Sequence, residues 1–176
     1  MPLPKHSPKK FPHPYQFANF KRQGEWAELV FMARAAALGC TVLKPFGESA
    51  RYDVVVDDRG RLLRVNVKSV NTLSCGRYLV DLQTTRMARY KASDLDYFAV
   101  YVMPHDTWYI IPVRAALRYC NIEVRPNQVT SSTRFERFRE CWHLLLKAYA
   151  VPGWRDGKKV WKREARRKKP INREKN

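Results

Sequence analysis

Residues 52–70, YDVVVDDRGRLLRVNVKSV, constrain the fold more than any other part of the chain. Two β-branched, largely apolar runs flank Asp57-Asp58-Arg59-Gly60, a turn composition, so the segment reads as a β-hairpin. Side chains alternate along a strand. In the second run this puts Leu63, Val65 and Val67 on one face and Arg64, Asn66 and Lys68 on the other. A polar row on so apolar a strand suggests a site.

Elements of two other kinds surround the hairpin. From Gly24 to Leu38 the chain is rich in helix formers, with Trp26, Leu29, Val30, Ala33, Ala37 and Leu38 as the apolar positions and Gly39 as the stop, which predicts a helix. Short strands are expected at 41–43, 77–82, 97–103 and 107–113, and helical segments near 84–92 and 113–120. Phe135, Phe138, Trp142, Leu145 and Tyr149 recur at spacings of three and four, predicting an amphipathic helix over 134–149 ended by Pro152-Gly153. The order of elements points to an α/β or α+β domain, a mixed sheet flanked by helices.

Charge divides the chain further. Of 176 residues, 34 are Lys or Arg and 16 are Asp or Glu, a net +18. Residues 1–22 carry +5 and residues 151–176 carry +8, which leaves +5 for residues 23–150. We therefore expect a proline-rich basic arm (1–20), a globular domain (21–150) and a basic tail (151–176). An excess of this size marks a chain that meets a polyanion, with nucleic acid the leading candidate. In the tail a helix from Lys158 to Lys169 would line up Lys158, Lys159, Lys162, Arg163, Arg166 and Arg167 for duplex phosphates, beside Trp154 and Trp161; a solvated tail is the alternative.

No run approaches the roughly 18 apolar residues of a membrane span, and no apolar segment follows the basic start, so a cytoplasmic protein is expected. Cys40, Cys75, Cys120 and Cys141 lie 35, 45 and 21 residues apart, a spacing that matches neither a zinc pair nor a disulfide framework.

Acidic groups in so basic a chain are informative. Carboxylates approach a phosphate favourably only with a divalent cation between them. Asp53 begins one hairpin strand, Asn66 and Lys68 lie on its partner, and Glu25 and Glu28 come from the preceding helix. Gly24 to Glu28 (GxxxE), RYD, and RVNVKS after the hairpin together resemble the PD-(D/E)xK nuclease superfamily, and within it the group I intron-associated homing endonucleases. The resemblance runs over about residues 20–113 and takes in the strands DYFAVYV and WYIIPV.

That resemblance implies a restriction-endonuclease-like core and hydrolysis of phosphodiesters in double-stranded DNA with Mg2+ or Mn2+. Matched residue by residue, it makes Asp53 a metal ligand, Glu28 a ligand of the metal or its water, and Lys68 the group that orients the attacking water and stabilises the phosphorane. Asn66 stands where the family commonly has Glu, Asp or Gln; its amide oxygen can still meet a hard cation, without a charge. Ser69 is assigned a minor phosphate contact, and Gln83 and Asp96 structural roles. Cutting two strands of a long site implies a homo-oligomer, a dimer or higher. Other readings remain open on the residues alone. Asp53 could pair with Arg51 or Arg64, and Lys68 could be an edge-strand lysine. The chain could be a branched-DNA (Holliday junction) resolvase or repair nuclease of the same fold, or a nucleic-acid-binding protein without turnover.

Overall fold

The computed structural model describes residues 17–47, 49–84, 88–126 and 134–146, together with two short strand pieces at 154–155 and 158–159. The N-terminal arm lies outside the described residues apart from 17–20, as do Lys162, Arg163, Arg166 and Arg167.

Helix α1 spans Phe20–Ala37. Asn19 caps it, accepting from the backbone N–H of Arg22 at 2.9 Å. Gly39, at φ 88°, closes the other end, with Gly39 N–H on Ala36 O and Cys40 N–H on Ala35 O. The helix thus starts four residues before Gly24, which sits inside it rather than at its start. Its buried stripe is Ala27, Phe31 and Ala35, whereas Leu29, Ala33 and Ala37 face solvent. Two alanines at this spacing let the helix lie close on a sheet while Phe31 fills the gap.

That sheet has five strands in the order β1-β2-β3-β5-β6. The strands are β1 (Thr41–Leu43), β2 (Val54–Asp58), β3 (Arg61–Val70), β5 (Tyr97–Val102) and β6 (Thr107–Pro112). All neighbours are antiparallel except β3 and β5, which pair parallel from Val65↔Tyr97 to Val70↔Val102. The hairpin turn is tighter than its composition suggested. Asp57 and Asp58 pair with Leu62 and Arg61, and Arg59 and Gly60, at φ 54° and 83°, alone make the turn.

Each face of the sheet carries a core. On one face Val54, Val56, Leu63, Val65, Tyr101 and Trp108 pack against α1, with Trp142 stacked on Phe31 at 5.6 Å. On the other, Phe98, Val100, Tyr109 and Ile111 pack beneath a second, two-stranded antiparallel sheet of β4 (Tyr78–Asp81) and β7 (Asn121–Val124). A small sheet, not a second long helix, therefore covers this face. Helix α2 is a single turn, Val113–Ala116, shorter than the span 113–120, because the chain must turn back into β7.

Among the described residues two expected helices are absent. Over 84–92 the described residues form a loop, with Thr84 N–H on Ala88 O and Ala88 N–H on the Thr84 hydroxyl. Over 134–149 the described part contains only two 3-10 turns, Glu136–Phe138 and Trp142–Leu144. Phe135 enters the second core and Leu145 the first, on opposite faces of the sheet. A helix would put them on one side. Instead the segment wraps the edge strand β6, where Trp108 N–H donates to the Glu140 carboxylate at 2.6 Å and Glu140 N–H to Trp108 O at 2.8 Å. That closes an exposed edge. In the tail, Lys158–Lys159 form a strand paired with Trp154–Arg155 rather than the start of a helix.

Candidate active site

The site follows from where β2 begins. Because β2 starts only at Val54, the backbone of β3 beyond Val65 loses its partner on that side, and a buried N–H needs an acceptor. Asp53 supplies it: its Oδ2 accepts the Val67 N–H at 2.7 Å, and its own N–H donates to Val65 O at 2.9 Å. The carboxylate is thereby fixed against the strand that carries Asn66 and Lys68.

Burial raises the Asp53 pKa to about 6; the Val67 N–H opposes the rise, the charge of Glu28 adds to it, and Lys68 and Lys44 oppose it. Asp53 thus lies within the fields of both the helix carboxylate and the strand lysine. Of the two helix acids, Glu28 is the one that acts on Asp53. Glu25 is exposed. Glu28 accepts a hydrogen bond from Lys44 Nζ at 2.8 Å, and this bond raises the Lys44 pKa.

Lys68 is partly buried, and burial lowers its pKa against the opposing pull of Asp53 and Asp81. Its ammonium donates to Gln83 O at 3.1 Å and lies over the Tyr90 ring, 5.8 Å from the centroid. At Lys68 strand β3 pairs only with β5, but the partial burial of the lysine and its bond to Gln83 O distinguish it from an exposed edge-strand lysine. Asn66 is 4% exposed, and its Oδ1 is buried with no hydrogen-bond partner. Burial and the charge of Asp53 push the Tyr90 pKa up to about 12, and the neighbouring Asn66 side chain opposes the rise. Ser69 Oγ accepts from Gln23 Nε2 at 3.1 Å, so it ties α1 to β3.

The competing pairings for Asp53 are taken elsewhere. Arg51 faces Asp94 at 3.8 Å, and Arg64 binds Asp96 through Nε at 3.1 Å and Nη2 at 3.2 Å. Asp96 is structural, as its sequence context suggested. Gln83 contributes more than expected, since its carbonyl holds Lys68. Tyr90 and Lys44 were not anticipated; each comes from a loop, and no local pattern ties either to the hairpin.

Among the described residues no three His, Cys, Asp or Glu side chains gather as a metal-binding group. The donor set that fits a hard divalent cation is mixed: two carboxylates, Asp53 and Glu28, with the amide oxygen of Asn66. A buried acceptor without a partner and a carboxylate whose ionisation is opposed by burial are both relieved by a cation. All four cysteines are free thiols. Among the described residues no helix is long and apolar enough to cross a membrane.

Comparison with known proteins agrees with this geometry. The family model of the PD-(D/E)XK endonucleases matches residues 18–145. Among solved structures, the bacterial homing endonuclease I-Ssp6803I is similar at 33% identity and a TM-score of 0.66, over 77% of this chain and 96% of that one. The Holliday junction resolvase Hjc of Archaeoglobus fulgidus is a remoter neighbour, at 15% identity and a TM-score of 0.42 over 59% of this chain and 84% of that one. A search of curated proteins found no match. The mixed sheet backed by α1, the acid at the head of β2, the lysine on central β3 and the match over residues 18–145 lead to one conclusion: the chain belongs to the PD-(D/E)XK endonuclease family and is a nuclease of the restriction-endonuclease-like fold.

Proposed function

We propose that the chain is a homing-type endonuclease that hydrolyses phosphodiesters in double-stranded DNA with Mg2+, or Mn2+ in its place. The observation that carries this reading is the Asp53 carboxylate, fixed on the Val67 N–H, raised to about 6 by burial and set in the field of Lys68. The likeness to I-Ssp6803I supports the homing type. Asp53, Glu28 and the Oδ1 of Asn66 would hold the cation. Bound there, the cation would polarise the scissile phosphate and offset the repulsion between it and the carboxylates.

The chain's own residues supply the rest. Lys68, anchored on the Gln83 carbonyl, orients the attacking water and neutralises charge as phosphorus becomes five-coordinate. Burial lowers its pKa, which makes the ammonium a stronger acid than a free lysine and a better donor to the developing charge. Asp53, ionised above about pH 6, is ready as a ligand at neutral pH.

Residues 21–150 form the nuclease domain in this reading, with basic extensions at 1–20 and 151–176. The tail, with Lys158, Lys159, Lys162, Arg163, Arg166 and Arg167, neutralises phosphates outside the cleavage site. Its removal should flatten the salt dependence of binding by about 0.9 in log-log slope per lost phosphate contact. Cutting both strands calls for a homo-oligomer, and free cysteines suit the cytoplasm.

The test is cleavage of supercoiled plasmid carrying the flanking genomic sequence, with and without Mg2+, beside Lys68→Ala. We expect cation-dependent cutting that falls by about a thousandfold in the variant, the scale for losing a transition-state donor, with DNA binding retained. Binding without cutting by the unaltered protein would overturn the reading in favour of a nucleic-acid-binding role, and a preference for four-way junctions would favour a resolvase.

A further inference from the structure

Strand β1 ends at Leu43 and β2 begins at Val54, so residues 44–53 form the loop that joins them. Both ends of this loop belong to the candidate site. Lys44, its first residue, donates to the Glu28 carboxylate at 2.8 Å, and Asp53, its last, accepts the Val67 N–H at 2.7 Å. The pairing of Leu43 with Val55 brings the two ends together. Whatever this loop presents to solvent near Lys44 therefore stands beside the place where a phosphodiester must lie.

It presents Phe46. Among the described residues this is the most exposed of the large hydrophobic side chains, and it joins neither core. Pro45 before it restricts the backbone, and Gly47 after it turns at φ 76°. A Cβ on Gly47 would meet nothing within 4 Å, so the glycine serves the turn rather than a close approach. Two residues span at most about 7 Å, which keeps the Phe46 Cα about two base-pair rises or less from that of Lys44.

A phenylalanine in water gains free energy when it meets an apolar surface. Duplex DNA offers such a surface on the stacked faces of its bases, reached where a side chain wedges into a base step. The ring carries no charge, so this contact differs in kind from the phosphate contacts of lysine and arginine. We propose that Phe46 is a DNA-contacting wedge: it enters a base step beside the cleaved phosphate, partly unstacks it and fixes the register of the scissile bond over Asp53 and Glu28. The inference rests on the reading of the chain as a DNA-cutting nuclease.

The test uses the full chain and the duplex that it cuts with Mg2+. Aminopurine, a base analogue that brightens when unstacked, is placed singly at the base pairs flanking the mapped cut, and Ca2+ replaces Mg2+ during the measurement. Phe46→Ala and Phe46→Leu are compared with the unaltered protein; because Phe46 joins neither core, their thermal melts should coincide. We expect the unaltered protein and Phe46→Leu, which keeps an apolar wedge, to brighten one step, and Phe46→Ala to leave it near the free-duplex value. Binding by Phe46→Ala should weaken about tenfold at every salt concentration, the scale of one lost contact between an aromatic ring and a base, with the log-log salt slope unchanged. The same brightening in Phe46→Ala, or a changed salt slope, would overturn the proposal. So would a smaller assembly of Phe46→Ala by sedimentation, which would assign the ring to an interface between copies of the chain. Absence of Mg2+-dependent cutting by the unaltered protein would remove the nuclease reading itself, whereas cutting without brightening at any flanking position would remove the wedge alone.

Discussion

Two carboxylates, Asp53 and Asp96, bind the backbone of strand β3 at different points and end in opposite states. Asp96 accepts the Arg64 backbone N–H at 2.8 Å and the guanidinium at two further points, so its pKa falls below the usual carboxylate value despite burial. Asp53 accepts the Val67 N–H at 2.7 Å, and with the charge of Glu28 beside it, its pKa rises to about 6. Both acids shape the strand. Only Asp96 has its charge matched by an adjoining guanidinium, and the contrast separates an acid paired within the fold from one whose ionisation burial opposes.

The largest test of that contrast is activity. Asp53→Asn should reduce plasmid cleavage by about a thousandfold, on the scale of losing one electrostatic element of a catalytic site, while Asp96→Asn should change the rate no more than a few fold in folded protein. Comparable losses in both would break the distinction.

Stability should move the opposite way. A carboxyl whose folded pKa exceeds its unfolded one holds its proton more tightly when folded, so ionisation costs stability as pH rises from about 4 to 6, and the cost persists above. Asp53→Asn removes that cost while keeping an acceptor for Val67. Without added divalent cation it should stabilise the protein at pH 7 by about 1–3 kcal/mol, a gain that fades as pH falls toward 4. Asp96→Asn should destabilise at pH 7 by about 1–2 kcal/mol, given its partial exposure, and this effect should shrink in acid as the native carboxyl takes up its proton. Urea melts at pH 4, 5.5 and 7 would measure both; a destabilised Asp53→Asn at pH 7 would contradict the assignment.

The smallest effect concerns Lys44. Its ammonium sits on Glu28 at 2.8 Å, with the lysine side chain 54% and the glutamate 18% exposed. A cation that uses Glu28 competes with it for the carboxylate charge. Lys44→Ala should therefore tighten Mn2+ in the absence of DNA by a few fold, the scale of a partly exposed ion pair. Weaker binding would make Lys44 a supporting element rather than a competitor.

The grouping of the candidate residues was legible because it rests on the hairpin, whose alternation assigns faces without any knowledge of the rest of the fold. Asn66 and Lys68 come from its second strand, Asp53 directly precedes its first, and Glu28 comes from the helix before it. The helix period was less informative over 134–149: apolar residues three and four apart also suit a chain that wraps a sheet edge and feeds two cores in turn. Phe135 and Leu145 are on opposite faces for that reason. The turn of α1 was also misjudged, since Ala27 and Ala35, weak hydrophobes, are buried while Leu29 is 61% exposed. Close approach of helix to sheet favoured small side chains over large ones. Tyr90, Gln83 and Lys44 were not legible as site residues because the loops that carry them meet β3 only in three dimensions.

The parallel pairing of β3 with β5 has a kinetic consequence. The β2–β3 hairpin can close through its two-residue turn in about microseconds, but β5 can join only after the intervening chain, with β4 in it, has looped across the sheet. Gln83 and Tyr90 lie on that crossing segment. A molecule with the hairpin alone would carry Asp53 and Lys68 without the carbonyl that anchors one and the ring that covers it, so the candidate site is completed by a long-range step of folding rather than by the first local one.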